Sequence, residues 1–322
     1  MEQTNNIANA SAAAGAADAP APDRADAVAV SAPRRRGPLF WLRSHAGYLA
    51  FLPFAIVVIC YELLPLLDLV RESFIGKDSG TLGLENYIKI FTTTLYQNSI
   101  INSVRISLVS AAVGIVVAFL TAHFVNEASP RVRQVFTMIL NMMSNFAGVP
   151  LAFAFMLLMG NAGVFTLIGK TYNIPFLSTF DLYTGDGLTV LYIYFQIPLG
   201  TLLLIPAFSG VRKEWREAAT ILKATSLDYW FRIVIPNLIP SILGTFSVLF
   251  SNALAAYATA YAIMLNNYAL LALQITAKFK GDVTIDEATG GALAVVLILL
   301  MIACSLINSY FTKKASQGRE LV

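Results

Sequence analysis

The chain has 322 residues, of which 57% are hydrophobic and 13% charged, with a mean hydropathy of +0.67. Soluble domains carry about 25% charged residues, so this composition excludes an ordinary soluble domain and predicts an all-α integral membrane protein. The formal net charge is only +3, and the placement of the charges matters more than their sum. Cys60 and Cys304 lie in apolar runs and His45 and His123 stand alone, so neither a disulfide nor a metal site is expected.

Residues 1–45 read as a disordered tail, because Ala, Asp, Pro and Ser dominate up to about residue 38 and large apolar side chains are almost absent. The chain does not open on an apolar core of the signal-peptide kind, so no cleaved leader is expected. Arg34, Arg35, Arg36 and Arg43 precede the first apolar block, where basic residues hold a chain end in the cytoplasm. The Arg triplet also suits nucleic acid, but its place beside a span favours the topological role, and no nucleic-acid partner is expected.

Six apolar blocks follow, each long enough for a span of about 20 residues. They run near Gly47–Leu67, Ile100–Val125, Val135–Met159, Leu188–Phe208, Ile239–Leu265 and Gly291–Phe311. The expected organisation is a tail (1–45), a first transmembrane helix with its outer loop (46–97), a transport domain (98–308) and a C-terminal tail (309–322). Most of the 22 Lys and Arg fall in the tail, the Asn126–Gln134 loop, the Val211–Ile235 loop and the C-terminus. Arg71, Lys77, Lys89, Arg105, Lys170, Lys278 and Lys280 fall on the other side or near a span's outer end. That bias predicts a membrane protein with both termini in the cytoplasm. The three longer outer loops, Arg71–Gln97, Gly160–Gly187 and Asn266–Gly290, suit a soluble partner or simply join spans.

Polar residues inside the blocks are candidates for a permeation path. Asn141, Ser144 and Asn145 precede Gly148 and Pro150, a run able to bend or break a helix and free backbone groups to line a cavity. Gln196, beside Pro198, and Ser247, Ser251 and Asn252 are similar. Such groups are costly against lipid and should face protein or a water-filled path; interhelical hydrogen bonding is the plainer alternative. Glu62 is the ionisable residue of the first block, near its outer third. Ala253, Ala255, Ala256, Ala258, Ala260 and Ala262 permit close helix packing. Gly163–Thr171 looks like a phosphate-binding loop, but five residues rather than four separate its glycines, and it follows a span rather than a strand. No zinc-protease helix pair or nucleophile elbow occurs. The chain is therefore expected to have no catalytic residues, metal or cofactor, and any ATP hydrolysis must come from another chain.

The most charged stretch between the first and last blocks is Val211–Pro240. Glu214 through Ala224 holds good helix formers and no Gly or Pro, which predicts a short helix. Ala218, Ile221 and Leu222 recur at spacings of three and four and predict one apolar face. Thr225 and Ser226 end that helix and cap the next, with Asp228 and Tyr229 in its first turn. Pro236 and Pro240 mark the turn into the fifth span.

Glu217-Ala218-Ala219, then Ile233, then Ile235-Pro236 resembles the cytoplasmic loop of the permease subunits of bacterial binding-protein-dependent type I ABC importers. The family pattern is Glu-Ala-Ala, three residues, Gly, nine residues, Ile, one residue, Leu-Pro. Here Ile235 replaces Leu, and Lys223 stands where the family has glycine. The resemblance covers roughly Asn98 to Asn308 and implies an inner-membrane location and a six-span permease working with a second permease subunit, the same or different. ABC ATPase subunits dock on Glu217–Lys223, with Ile233 and Pro236 setting the angle to the fifth span, and a periplasmic solute-binding protein delivers solute. The long first outer loop and the Gly-Val-Pro turn, with Gly160-Asn161-Ala162-Gly163 after it, look most like permeases for polyamines, phosphonates, ferric iron or thiamine rather than sugars, with polyamine or aminoalkylphosphonate ranked first. The rival from another class is a secondary transporter driven by an ion gradient, which needs acidic residues within the spans and no ATPase.

Overall fold

A computed structural model describes residues 51–76, 80–280 and 285–317. The expected tail, with its arginines and His45, lies outside the described residues, as does Lys77. The chain divides into two compact units, residues 1–60 and 61–322. In the first, residues 51–60 are helical, and the rings of Phe51 and Phe54 meet at 5.3 Å. The second unit holds every other described element.

Among the described residues all elements are helices, apart from an isolated bridge between Ile75 and Leu82. They are α1 (Phe51–Ser73), α2 (Glu85–Thr92), α3 (Thr94–Glu127), α4 (Pro130–Asn145), α5 (Val149–Met159), α6 (Val164–Thr171), α7 (Gly185–Ser209), α8 (Lys213–Ile221), α9 (Ser226–Leu254), α10 (Tyr257–Met264), α11 (Leu271–Lys280) and α12 (Glu287–Gln317), with a single helical turn at Pro175–Ser178 between α6 and α7. Among the described residues six stretches are long and apolar enough to cross a bilayer: α1, α3, Val149–Thr171, α7, α9 and Glu287–Lys314. The architecture is the all-α one expected.

Three boundaries differ from expectation. The third apolar block is divided: Phe146–Gly148 separates α4 from α5, and the membrane-length stretch is Val149–Thr171. Gly148 has φ +74°, which breaks the helix, and Pro150 then suits the first turn of a new one. The fifth span starts at Ser226 rather than Ile239, so Pro236 and Pro240 sit within a helical run instead of ending a loop. A π-helical turn at Trp230–Val234 precedes them, with Ile235 N–H donating to the Trp230 carbonyl. Asn237 Nδ2 donates to the Ile233 carbonyl at 2.8 Å, helping a helix that Pro236 leaves short of an N–H. The expected C-terminal tail from 309 is instead helical as far as Gln317.

The central contact is α3 against α7. One face of α3 buries Ser99, Ser103, Ser107, Ser110, Ala111, Gly114, Ala118 and Ala122, at spacings of three and four. This small-residue stripe lets α7 approach closely, and close packing rather than water exclusion joins helices in lipid. Leu188, Leu191 and Phe195 of α7 pack with Leu151 and Ile263, while Leu204 and Phe208 pack with Val234, Leu238 and Leu249 of α9. The helix α12 packs on α9, α11 and the Leu64–Ser73 part of α1.

A polar clamp closes the end of the second unit where α2 meets α12. Lys89 Nζ lies 3.1 Å from Asp286 Oδ2 and 3.2 Å from Thr289 Oγ1. Asp286 also accepts from the Thr289 backbone N–H and hydroxyl, capping α12. Asn86 donates to the carbonyls of Ser73 and Ile75, tying α2 to the end of α1. Burial pushes the Asp286 carboxyl up, but the Thr289 and Lys89 hydrogen bonds and the Lys89 charge outweigh it and hold the group below its usual range.

Two outcomes are expected. A Cβ on Gly200 would sit 2.9 Å from Ala118 Cβ and 3.1 Å from Leu249 Cδ1. Gly200→Ala should therefore cost about 1–3 kcal/mol by overpacking, read as a lower Tm in detergent, and Ala118→Gly in the same chain should restore it. The depressed Asp286 pKa means its stabilisation is fully present above the unfolded carboxylate value and is lost as pH falls through the lower folded one. The wild-type clamp should hold constant from neutral pH down to that range. Asp286→Asn should cost about 1–2 kcal/mol at neutral pH and remove this acid-dependent step in thermal unfolding.

Candidate functional site

The polar loop folds as a helix, a sharp stop and a capped restart. In α8, Lys213, Arg216, Glu217 and Thr220 share one face and line a cavity of about 830 Å³ against α3 and the start of α9. Ala219 is buried at 5% exposure, whereas Ile221 and Leu222 stand out at 81% and 80%. Ala218, Ile221 and Leu222 do share one side of the chain here, and that side is exposed. The inward apolar contact is Ala219, and Ala218, Ile221 and Leu222 point away from the rest of the chain. Spacing groups residues on a helix but does not say which side meets protein.

The stop is a Schellman motif. Ala224 N–H donates to the Ala219 carbonyl and Lys223 N–H to the Thr220 carbonyl, both at 3.0 Å. Lys223 adopts φ +55°, the left-handed conformation that glycine takes without penalty. The lysine therefore makes the bend that the glycine of the resembled loop would make, at a cost of about 1–2 kcal/mol. Thr225 then caps α9 in a capping box with Asp228: Asp228 N–H donates to Thr225 Oγ1, and Thr225 N–H to Asp228 Oδ2. Arg232 Nε lies 3.4 Å from Asp228 Oδ1 one turn on. Ile233 and Pro236 are half-buried, and Val234 between them is the fully buried anchor.

A second cavity, of about 520 Å³, lies where two helices break. The α4–α5 break contributes Ser144, Ala147 and Gly148, and the α9–α10 break at Ala255–Ala256 contributes Asn252 and the run Ala255–Thr259. Thr259 Oγ1 accepts from Gly148 N–H at 3.0 Å, and Tyr192 Oη donates to the Ala256 carbonyl at 2.6 Å. These two bonds satisfy backbone groups that the breaks release. Phe195 and Leu199 of α7 complete the wall.

Of the permeation candidates, the structure brings Ser144 and Asn252 together at this cavity. Asn141 and Asn145 lie exposed on α4, and Ser251 is half-buried. Gln196 is fully buried between α3 and α9, with Nε2 donating to the Leu249 carbonyl at 2.8 Å, the interhelical hydrogen bonding that was the plainer alternative, and it is not among the residues lining this cavity. Gly114, whose missing Cβ would lie 2.9 Å from Gln196 Cβ, makes room for it. Tyr192, Tyr257 and Thr259 were not picked out from the sequence. No Gly or Pro marks the Ala255–Ala256 break, so no local signal could have found them. Glu62 is exposed on α1.

Residues 90–317 match the family described as binding-protein-dependent transport system inner membrane component, and the chain belongs to that family. It is a multi-pass permease component of type I ABC importers, a non-catalytic membrane subunit. It is 25% identical over 262 residues to a probable sulfate transport system permease protein of Helicosporidium sp. subsp. Simulium jonesii, covering 78% of this chain and 90% of that one. It is 25% identical over 252 residues to a trehalose transport system permease protein of Mycobacterium tuberculosis (strain CDC 1551 / Oshkosh), covering 76% and 85%. A chain of a bacterial ABC transporter that imports the acidic polysaccharide alginate has the same fold, with a TM-score of 0.69, 16% identity, and coverage of 85% of this chain and 97% of that chain.

Lys223→Gly should stabilise the α8 stop by about 1 kcal/mol, because it removes the left-handed penalty. Lys223→Val should destabilise it further, since a β-branched residue tolerates positive φ least. Thermal unfolding of the two variants in detergent separates a conformational role from a charge role, which would make them behave alike.

Proposed function

We propose that the chain forms half of the translocation pathway of an ATP-driven solute importer and takes force from a separate ATPase through Lys213–Pro236. The observation that carries this is the outward pair Ile221 and Leu222, about four-fifths exposed on a short helix outside the membrane-length stretches. Large apolar side chains so placed suit a protein partner. Ala218 keeps that face slim, and Glu217 borders it with a charge. The basic-residue bias supports placing α8 and both termini in the cytoplasm.

The exposed Asn141, Asn145 and Asn252 belong against a second permease subunit or a wet path, since they are costly against lipid. A periplasmic binding protein at the outer loops completes the proposed assembly. For the solute, the expectation of a polyamine or aminoalkylphosphonate rests on the first outer loop and the Gly-Val-Pro turn. Relatives named for sulfate and trehalose support the wider class of small polar solutes. Among the described residues, the cavity wall holds Ser144, Asn252, Tyr257 and Thr259 and no carboxylate to receive a polyamine. Among the described residues no Asp or Glu lines that cavity, which gives the gradient-driven alternative no support there.

Ile221→Asp with Leu222→Asp should lower ATPase co-purification and ATP-driven uptake by about tenfold or more, as loss of a hot spot does. Uptake into vesicles energised by ATP or by an ion gradient provides the parallel check. Full uptake by the double variant, or uptake driven by the gradient alone, would refute the coupling role.

A further inference from the structure

The 830 Å³ cavity behind α8 is left unused by the proposed coupling, which takes the opposite face of that helix. Its rim is cationic: Arg212, Lys213 and Arg216 converge there from the start of α8. Arg216 Nη1 lies 3.7 Å from Glu127 Oε1 at the end of α3, so that carboxylate is already matched. Glu217 is the other carboxylate on the wall, and the cations outnumber the acids. The depth of the cavity is apolar and aromatic, with Phe208, Val234 and Trp230. His123 closes it edge-on to Trp230, with ring centroids 4.6 Å apart. A cationic rim over an aromatic floor, at the end of membrane-length helices, fits an amphiphile with an anionic head. Tyr and Trp sit at this level of a bilayer, and basic pockets beside spans select acidic headgroups.

We propose that this cavity binds the phosphate headgroup of an acidic phospholipid, with Arg212, Lys213 and Arg216 on the phosphate and the acyl end against Phe208 and Trp230. The proposal rests on the cytoplasmic placement of α8 given above. A lipid seated there touches α3, α8 and α9 together, so its occupancy stiffens the joint between the coupling helix and the spans.

The test uses the full permease in bilayer nanodiscs with Trp41 and Trp215 replaced by Phe, leaving Trp230 as the fluorophore. Phosphatidylglycerol brominated near the headgroup should quench Trp230 more than equally brominated phosphatidylcholine. Each basic side chain contributes roughly a fivefold preference for an acidic surface. Arg212→Gln with Lys213→Gln should therefore cut the preference by about an order of magnitude, while Arg212→Lys with Lys213→Arg should retain it. Raising salt should weaken it, as the Debye length falls from about 30 Å at 0.01 M to about 3 Å at 1 M. Equal quenching by both lipids, or an undiminished preference in the Gln variant, would overturn the site. Inorganic phosphate that abolishes the preference without added salt effect would assign the cavity to a free anion and overturn the lipid. The measurement needs no ATPase, so ATPase co-purification with the same variants reports separately on the coupling proposal.

Discussion

In hydrocarbon an unpaired peptide N–H or C=O costs several kcal/mol, and that constraint shapes this protein wherever its helices stop. Two breaks, at Phe146–Gly148 and Ala255–Ala256, release backbone groups that helical bonding no longer satisfies. Thr259 takes the Gly148 N–H and Tyr192 supplies a donor to the Ala256 carbonyl. Because Thr259 belongs to the second break and Gly148 to the first, one bond ties the two together. The cavity between them is thus built from irregular backbone held by buried hydroxyls, and its shape depends on α7 standing behind it.

What holds α7 in place is the stripe of Ser, Ala and Gly on α3. In lipid there is little to gain from burying one more leucine, so helices associate through closeness and dispersion. Gly114 opposite Gln196 and Gly200 opposite Ala118 bring the backbones near enough for Gln196 to reach the Leu249 carbonyl on α9. This buried side chain hydrogen-bonds α7 to α9 and packs against Gly114 of α3. It explains why a polar residue inside a span need not touch solute.

The other end of the unit is built for stiffness. Between Ile221 and Ser226 the chain reverses within a few residues through a Schellman stop, a left-handed Lys223 and a capping box. Each device fixes backbone angles, so α8 cannot swing freely on α9. The π turn at Trp230–Val234 follows at once and carries Val234 into the core beside Leu238 and Phe208. Displacement of α8 would therefore be transmitted to α9 and, through its C-terminal break, to the cavity wall. One side of α8 exposes Ile221 and Leu222 while the other lines a cavity with Arg212, Lys213 and Arg216 at its edge, so the two sides of a single short helix present different chemistry.

The sequence by itself determined the class of protein: a charge-poor composition and six apolar blocks admit only membrane-length helices. It also made visible the resemblance of the 211–236 loop, because Glu217-Ala218-Ala219, Ile233 and Pro236 form a local pattern, and the Thr225–Asp228 cap, because a capping box spans four residues. Gly148 and Pro150 announced one break through their own backbone preferences. The tertiary structure alone decided the second break, since Ala255 and Ala256 are good helix formers and only the hydrogen bonds from Tyr192 and Thr259 favour the interruption. It likewise decided that Gln196 is interior and Ser144 lines a cavity, and that Ala219 faces inward while Ile221 faces out. Periodicity orders side chains around one helix axis; which of them meet lipid, water or protein is set by the neighbouring helices, and that information is not local.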